Sequence, residues 1–322
     1  LGFNADASSA TVSNEVTIGD TAVTKFRIPG LNFSIKDSTA TDNYVLTVDA
    51  NGDAGWEAAG GGTSTGESYV LLKNSTGGAS NSGENTVAGY NAGASINDAS
   101  RNTYYGFEAG NSSTSGNYNQ AFGSQCLKSV TTGYSNTALG KEGLLSLTTG
   151  HSNLALGFNT LDACVTGDRN TGVGYNALGV YTGSNGVAVG YSALQANTTG
   201  QYNTAVGYDT LKANTTASWN LAVGYQALTA CTTGEYNVSV GPSAGSAITT
   251  GSSNVVFGPN CLETLTTGNA NVAIGKECLQ SNTASNNTAV GIEALRRNTS
   301  GTRNTSLGFY ALNDNTTAHN NT

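Results

Sequence analysis

Short bursts of alternating polar and apolar residues, each closed by a glycine, recur from about residue 85 to the end of the chain. The closing glycines are Gly89, Gly106, Gly123, Gly140, Gly157, Gly174, Gly190, Gly207, Gly224, Gly241, Gly258, Gly275, Gly291 and Gly308, and eleven of the thirteen intervals are 17 residues while two are 16. A period this short holds only two or three short strands and their turns, so it predicts one rung of a solenoid and not a row of domains. The consensus rung reads N-T-A-V-G-Y-x-A-L-x-x-x-T-T-G-x-x. That pattern predicts a first strand, a glycine corner, a second short strand and a T-T-G turn, with no place for a helix. The expected fold is all-β, a β-solenoid (β-roll) of about fourteen rungs.

Rungs stacked at about 4.8 Å turn every offset of the repeat into a ladder. An apolar residue stands immediately before every glycine: Ala88, Tyr105, Phe122, Leu139, Leu156, Val173, Val189, Val206, Val223, Val240, Phe257, Ile274, Val290 and Leu307. Its size predicts a core column. Four residues after the glycine stands a second predicted core column, Leu127, Leu144, Leu161, Leu178, Leu194, Leu211, Leu228, Leu262, Leu279, Leu295 and Leu312, placed on the second strand, with Gly in the remaining copies. Four residues before the glycine stand Asn85, Asn102, Asn119, Asn136, Asn153, Asn170, Asn203, Asn220, Asn237, Asn254, Asn271, Asn287 and Asn304, with Gly186 the one exception. Stacked amides hydrogen-bond along the axis of such ladders, so this column reads as a structural device and not a row of ligand sites. Two residues before the glycine the chain is small, as in Ala121, Ala138, Ala205, Ala222 and Ala289. Opposite a large core column, that stripe is expected to face outward and to suit contact with another chain.

Aromatic residues recur just after the glycine at Tyr90, Phe107, Phe158, Tyr175, Tyr191, Tyr208, Tyr225 and Phe309. They form either a strip for stacking against sugars or a subunit contact and self-stacked ladder, the second being favoured. The two short rungs, Tyr175 to Gly190 and Lys276 to Gly291, lose their residue in the turn region, where a deletion is tolerated. Residues 1–59 read as an N-terminal β module for attachment or assembly, in which Leu31, Phe33 and Ile35, and then Tyr44, Leu46 and Val48, alternate with polar neighbours. A turn signal at Asp49 to Asp53 precedes Trp56, residues 60–68 are a Gly/Ser/Thr linker, and 69–322 form the shaft.

Composition narrows the function. Charged residues make up 11%, the net charge is −8, and the 13 Lys and Arg are scattered, so the basic footprint of a nucleic-acid binder is missing. No run of apolar residues is long enough to predict insertion into a membrane. Cys126, Cys261 and Cys278 fall three after the glycine and Cys164 and Cys231 seven after it, so all five read as small hydrophobic fillers. Cys261 and Cys278 share a column on neighbouring rungs, close enough to bond in principle. With only His151 and His319 beside them, zinc has no ligand set, and no cofactor is expected.

The run NTAVGYDTLKANTTASWNLAVGYQALTACTTG resembles repeats in bacteriophage tail fibres and other virion appendages, and is similar in style to the heads of trimeric autotransporter adhesins. YVLTVDANGDAGWEAAGGG resembles a segment that precedes phage fibre shafts. The resemblance implies a homotrimeric, non-enzymatic, extracellular fibre shaft that supports host attachment. It joins other appendage proteins through its N-terminal module and holds out a binding end for a surface glycan or protein. It also implies that a C-terminal tip or chaperone follows Asn321 and Thr322, which begin another rung, and Leu1 in place of Met fits a processed or partial chain. A cellular adhesin or surface filament is the alternative. A polysaccharide-cleaving tailspike needs two carboxylates at a set separation, whereas Glu108, Glu142, Asp162, Asp209 and Glu263 read as sparse and spread over several offsets. An ice-binding face is suggested by the pairs beginning at Thr131, Thr148, Thr198, Thr215, Thr232, Thr249 and Thr266, but these adjoin the turn glycine and not a flat strand.

Overall fold

The computed structural model describes residues 44–48, 54–58 and 84–322. Contacts divide the chain into two units, residues 1–67 and 68–322. In the first, β1 (Tyr44–Val48) pairs antiparallel with β2 (Ala54–Ala58), bringing Tyr44 opposite Ala58 and Val48 opposite Ala54. The D-A-N-G-D turn signal falls on residues 49–53, which lie outside the described residues. The alternation at residues 31–35, the linker and the start of the shaft at 69–83 lie outside the described residues.

The second unit is a β-solenoid. Fourteen strands of three residues, from β3 (Thr86–Ala88) to β16 (Thr305–Leu307), form one parallel sheet in strict chain order. Each residue pairs with its counterpart in the next rung, as Thr204, Ala205 and Val206 pair with Leu221, Ala222 and Val223. The register survives both short rungs: Thr171 pairs with Val187 and Val272 with Thr288. The missing residue is absorbed in the turns at Thr182-Gly183 and Thr283-Ala284, so the sheet is regular along its whole length.

Only one strand occurs per rung. The expected second strand is a run of turns in which the Leu column adopts a left-handed backbone, with φ of 49–54° from Leu127 to Leu312. Axial hydrogen bonds continue through it: Leu144 N–H donates to Thr160 O at 3.0 Å and Ser146 N–H to Asp162 O at 3.0 Å. These bonds offset the strain of left-handed side-chain-bearing residues, of order 1–3 kcal/mol each. The leucines from Leu127 to Leu295 are fully buried as expected, while Leu312, in the last copy, is 37% exposed.

The strand faces are inverted relative to the sequence expectation. Large residues before the glycine point outward, with Tyr105 and Leu139 each 51% exposed, and only Ala88 of that column is buried. The small residues two before the glycine are the core: Ala121, Ala138, Ala155, Ala188, Ala205, Ala222, Ala273 and Ala289 are all at 0%. The reason is the thinness of the rung. A Cβ placed on Gly143, three after its glycine, would lie 3.5 Å from Ala138 Cβ and 3.7 Å from Ala155 Cβ. Two columns already in van der Waals contact as methyls leave no room for Leu or Phe there unless a neighbouring column shrinks, as it does where the buried Tyr104 lies against Gly93 and Gly110. Where one column shrinks the other grows: Gly172 faces the Thr160 methyl, 2.5 Å from where its own Cβ would be. A fourth interior column, seven after the glycine, adds Val130, Leu147, Cys164, Tyr181, Cys231, Ile248 and Leu265 to the core.

The repeat glycine is required twice over. Gly207 has φ +137°, a conformation closed to L side chains, and a Cβ there would sit 2.4 Å from Gly224 O in the next rung.

Candidate functional site

Three sets of columns bear on function: the amide ladder, the aromatic ladders and the outward strand face.

All thirteen repeat asparagines are buried, at 5% exposure or less. Asn254 shows the pattern. Its backbone N–H and its Nδ2 both donate to Asn237 Oδ1, at 3.0 and 3.1 Å, and its Nδ2 also donates to Gly268 O at 3.0 Å. Each amide thus ties a strand start to the neighbouring rung and to a turn carbonyl, and no face of it is left for a ligand. At Gly186 the ladder loses one side chain. Gly186 N–H still donates to Asn170 Oδ1 at 2.9 Å, but nothing accepts from the following rung. The vacated volume is taken by the buried Tyr181, whose ring would lie 3.1 Å from a Cβ on Gly186 and whose hydroxyl donates to Ser184 O at 2.6 Å. The sequence marks this exchange only as a Tyr in a column of smaller residues.

The aromatics after the glycine stack on one another. Phe158, Tyr175, Tyr191, Tyr208 and Tyr225 form an unbroken pile with centroids 5.0–5.6 Å apart and planes within 12°. Tyr90 stacks on Phe107 at 5.7 Å, while Phe309 meets only Tyr310, at a 59° tilt. Lys141 Nζ caps the pile 5.2 Å over Phe158. Inside the pile the ring faces are spent on each other, so edges and hydroxyls are what solvent meets. A second ladder, five residues before the glycine, escaped the sequence reading: Tyr202 stacks on Trp219 at 4.1 Å and Trp219 on Tyr236 at 6.4 Å. Its signal, three aromatics at 17-residue spacing, was present but short. The Thr pairs are likewise engaged in the rod: Thr131, Thr198 and Thr249 donate their Oγ1 to carbonyls of the next rung at 2.9–3.1 Å.

The acids remain spread over several offsets, with Asp98, Asp168, Glu235 and Asp314 outside the two that hold the five singled out in the sequence. Glu108, Glu142 and Asp209 stand two after the glycine, Asp162 and Glu263 five after it. Glu108 meets Lys128 at 2.8 Å, Glu142 meets Lys141 at 2.9 Å, Asp209 meets Lys212 at 3.2 Å, and Glu263 accepts from Gln280 at 2.7 Å. Lys128 and Gln125 hold the Glu108 carboxyl below its ordinary range, whereas burial, reinforced by the Glu142 charge, holds Asp162 above it. Among the described residues no group of three His, Cys, Asp or Glu side chains could hold a metal, and no helix is long and apolar enough to cross a membrane.

The outward strand face carries the residues one and three before each glycine. None is charged; every Asp, Glu, Lys and Arg between residues 84 and 322 sits elsewhere in its rung. Leu139, Val206, Leu221, Phe257 and Ile274 on this face are all at least 36% exposed. In column order the face lies between the two aromatic ladders, most completely from Tyr202 to Tyr236.

No protein family, curated protein or solved structure matches this chain.

Proposed function

We propose that this chain is the shaft of a virion fibre, a structural and non-enzymatic part of a phage tail fibre or similar appendage that supports attachment to a host cell. The observation that carries the reading is the uninterrupted register of fourteen rungs around a filled interior, the build of a spacer that keeps one cross-section along its length. The neutralised or hydrogen-bonded carboxylates favour it over a hydrolase. Copies associate as a homotrimer, the N-terminal module joins other appendage proteins, and a surface glycan or protein meets the binding end. The alternative, a cellular extracellular adhesin or surface filament, would use the same rod, and differ by its anchor.

Antibody raised against residues 84–322 and imaged on native particles tests the reading: label along a tail or surface fibre is expected. Label confined to a cell envelope would replace it with the adhesin. Incubation with host surface polysaccharide is expected to leave the polymer length unchanged, and shortening would restore the tailspike.

A further inference from the structure

We propose that the outward face of the fourteen strands, bordered by both aromatic ladders over the rungs from Tyr202 to Tyr236, is the surface through which copies of this chain associate. The inference rests on the assembly proposed above and assigns its contact.

Four observations single out this face and this occupant. First, its column next to the glycine is apolar and exposed, with Leu139 and Tyr105 half in solvent and Phe122, Val206 and Phe257 at more than a third, beside a column that mixes Val and Leu with uncharged Thr and Gln; soluble surfaces reserve such an apolar row for partners. Second, charge is excluded from both columns while ion pairs such as Glu108–Lys128 and Arg296–Glu293 decorate the turns. Third, the face is as long as the rod, about 65 Å for fourteen strands, and about 10 Å wide across two outward positions. That is roughly 650 Å², which the flanking rings raise to the ~800 Å² per partner of a stable interface. Fourth, its period is set by the strand spacing, since the short rungs absorb their deletions in turns. A partner must therefore present apolar groups at the same spacing over the same length, and a second copy of this chain does so at every rung. The stripe expected from the sequence to make this contact, Ala205 and its column, lies in the interior and cannot.

The test uses the full chain and native mass measurement. Wild type is expected as a multimer, and Val206→Glu with Val223→Glu as a monomer that keeps the β-sheet circular dichroism. Thr199→Glu with Thr216→Glu, exposed on the turns, is expected to stay multimeric. A monomeric wild type would overturn both the assembly and this contact, whereas a multimer untouched by the two Val substitutions would overturn the contact alone. Should the Glu variant fail to fold, Val206→Cys decides: mild oxidation is expected to link copies covalently through residue 206, and Thr199→Cys is not. Absence of the Val206→Cys link in a multimer would rule the contact out.

Discussion

At the scale of single residues, the ladder amides do more than fill space. Asn237 Oδ1 accepts both the backbone and side-chain N–H of Asn254, and Asn237 Nδ2 donates to Gly251 O at 2.9 Å and to Asn220 Oδ1 at 3.2 Å. Truncation to Ala leaves two donors and a carbonyl buried without partners, each costing about 1–3 kcal/mol. Asn237→Ala is therefore expected to lower the stability of the solenoid by about 3 kcal/mol or more, read from the urea midpoint at unchanged slope. A loss below about 1 kcal/mol would mean that neighbouring amides or water re-bond the gap. The tolerated exception at Gly186 does not predict a mild effect at 237, because there the Tyr181 ring occupies the space an amide leaves.

At the scale of the rung, the period, the single glycine corner, the buried Leu and Asn columns and the absence of a helix were all legible, because each is a repeated constraint on one offset. The facing of the strand was not. Size argued that Val206 goes in and Ala205 out, a rule drawn from sheets that cover a thick core. A rung whose opposing columns meet as methyls reverses it. The second strand was misread for a related reason: Leu at a left-handed φ runs against residue preference and is recognisable only from the axial bonds that hold it. The inverted facing makes a direct prediction. Ala205→Leu should overpack the interior and cost about 1–3 kcal/mol, while Leu139→Thr, on the half-exposed outward face, should change the stability of the isolated rod by less than about 0.5 kcal/mol. Equal effects at the two positions, measured by thermal melts of the assembly-deficient variant, would put the facing back in question.

At the scale of the whole molecule, stability is a sum over rungs and their contacts, so a condition that weakens a few interior sites weakens the rod. Burial pushes the thiols of Cys164 and Cys231 up to about 11 and the hydroxyl of Tyr104 up to about 12. For an acid whose neutral form is preferred in the folded state, the sign is fixed. The preference contributes in full below the unfolded thiol value of about 8.5–9 and is lost as pH rises through the folded value near 11. Each thiol then accounts for about 2 kcal/mol between pH 9 and 11. All five cysteines are free and buried, so the native rod should also react sluggishly with alkylating reagents at pH 8, giving up its thiols only on unfolding. Stability should hold flat from pH 7 to 9 and fall steeply above it, and Cys164→Ala with Cys231→Ala should make that fall shallower even if the variant starts lower. If the double variant and the wild type lose stability with the same slope between pH 9 and 11, the buried thiols are not what the rising pH attacks, and the interior is more open to water than these columns allow.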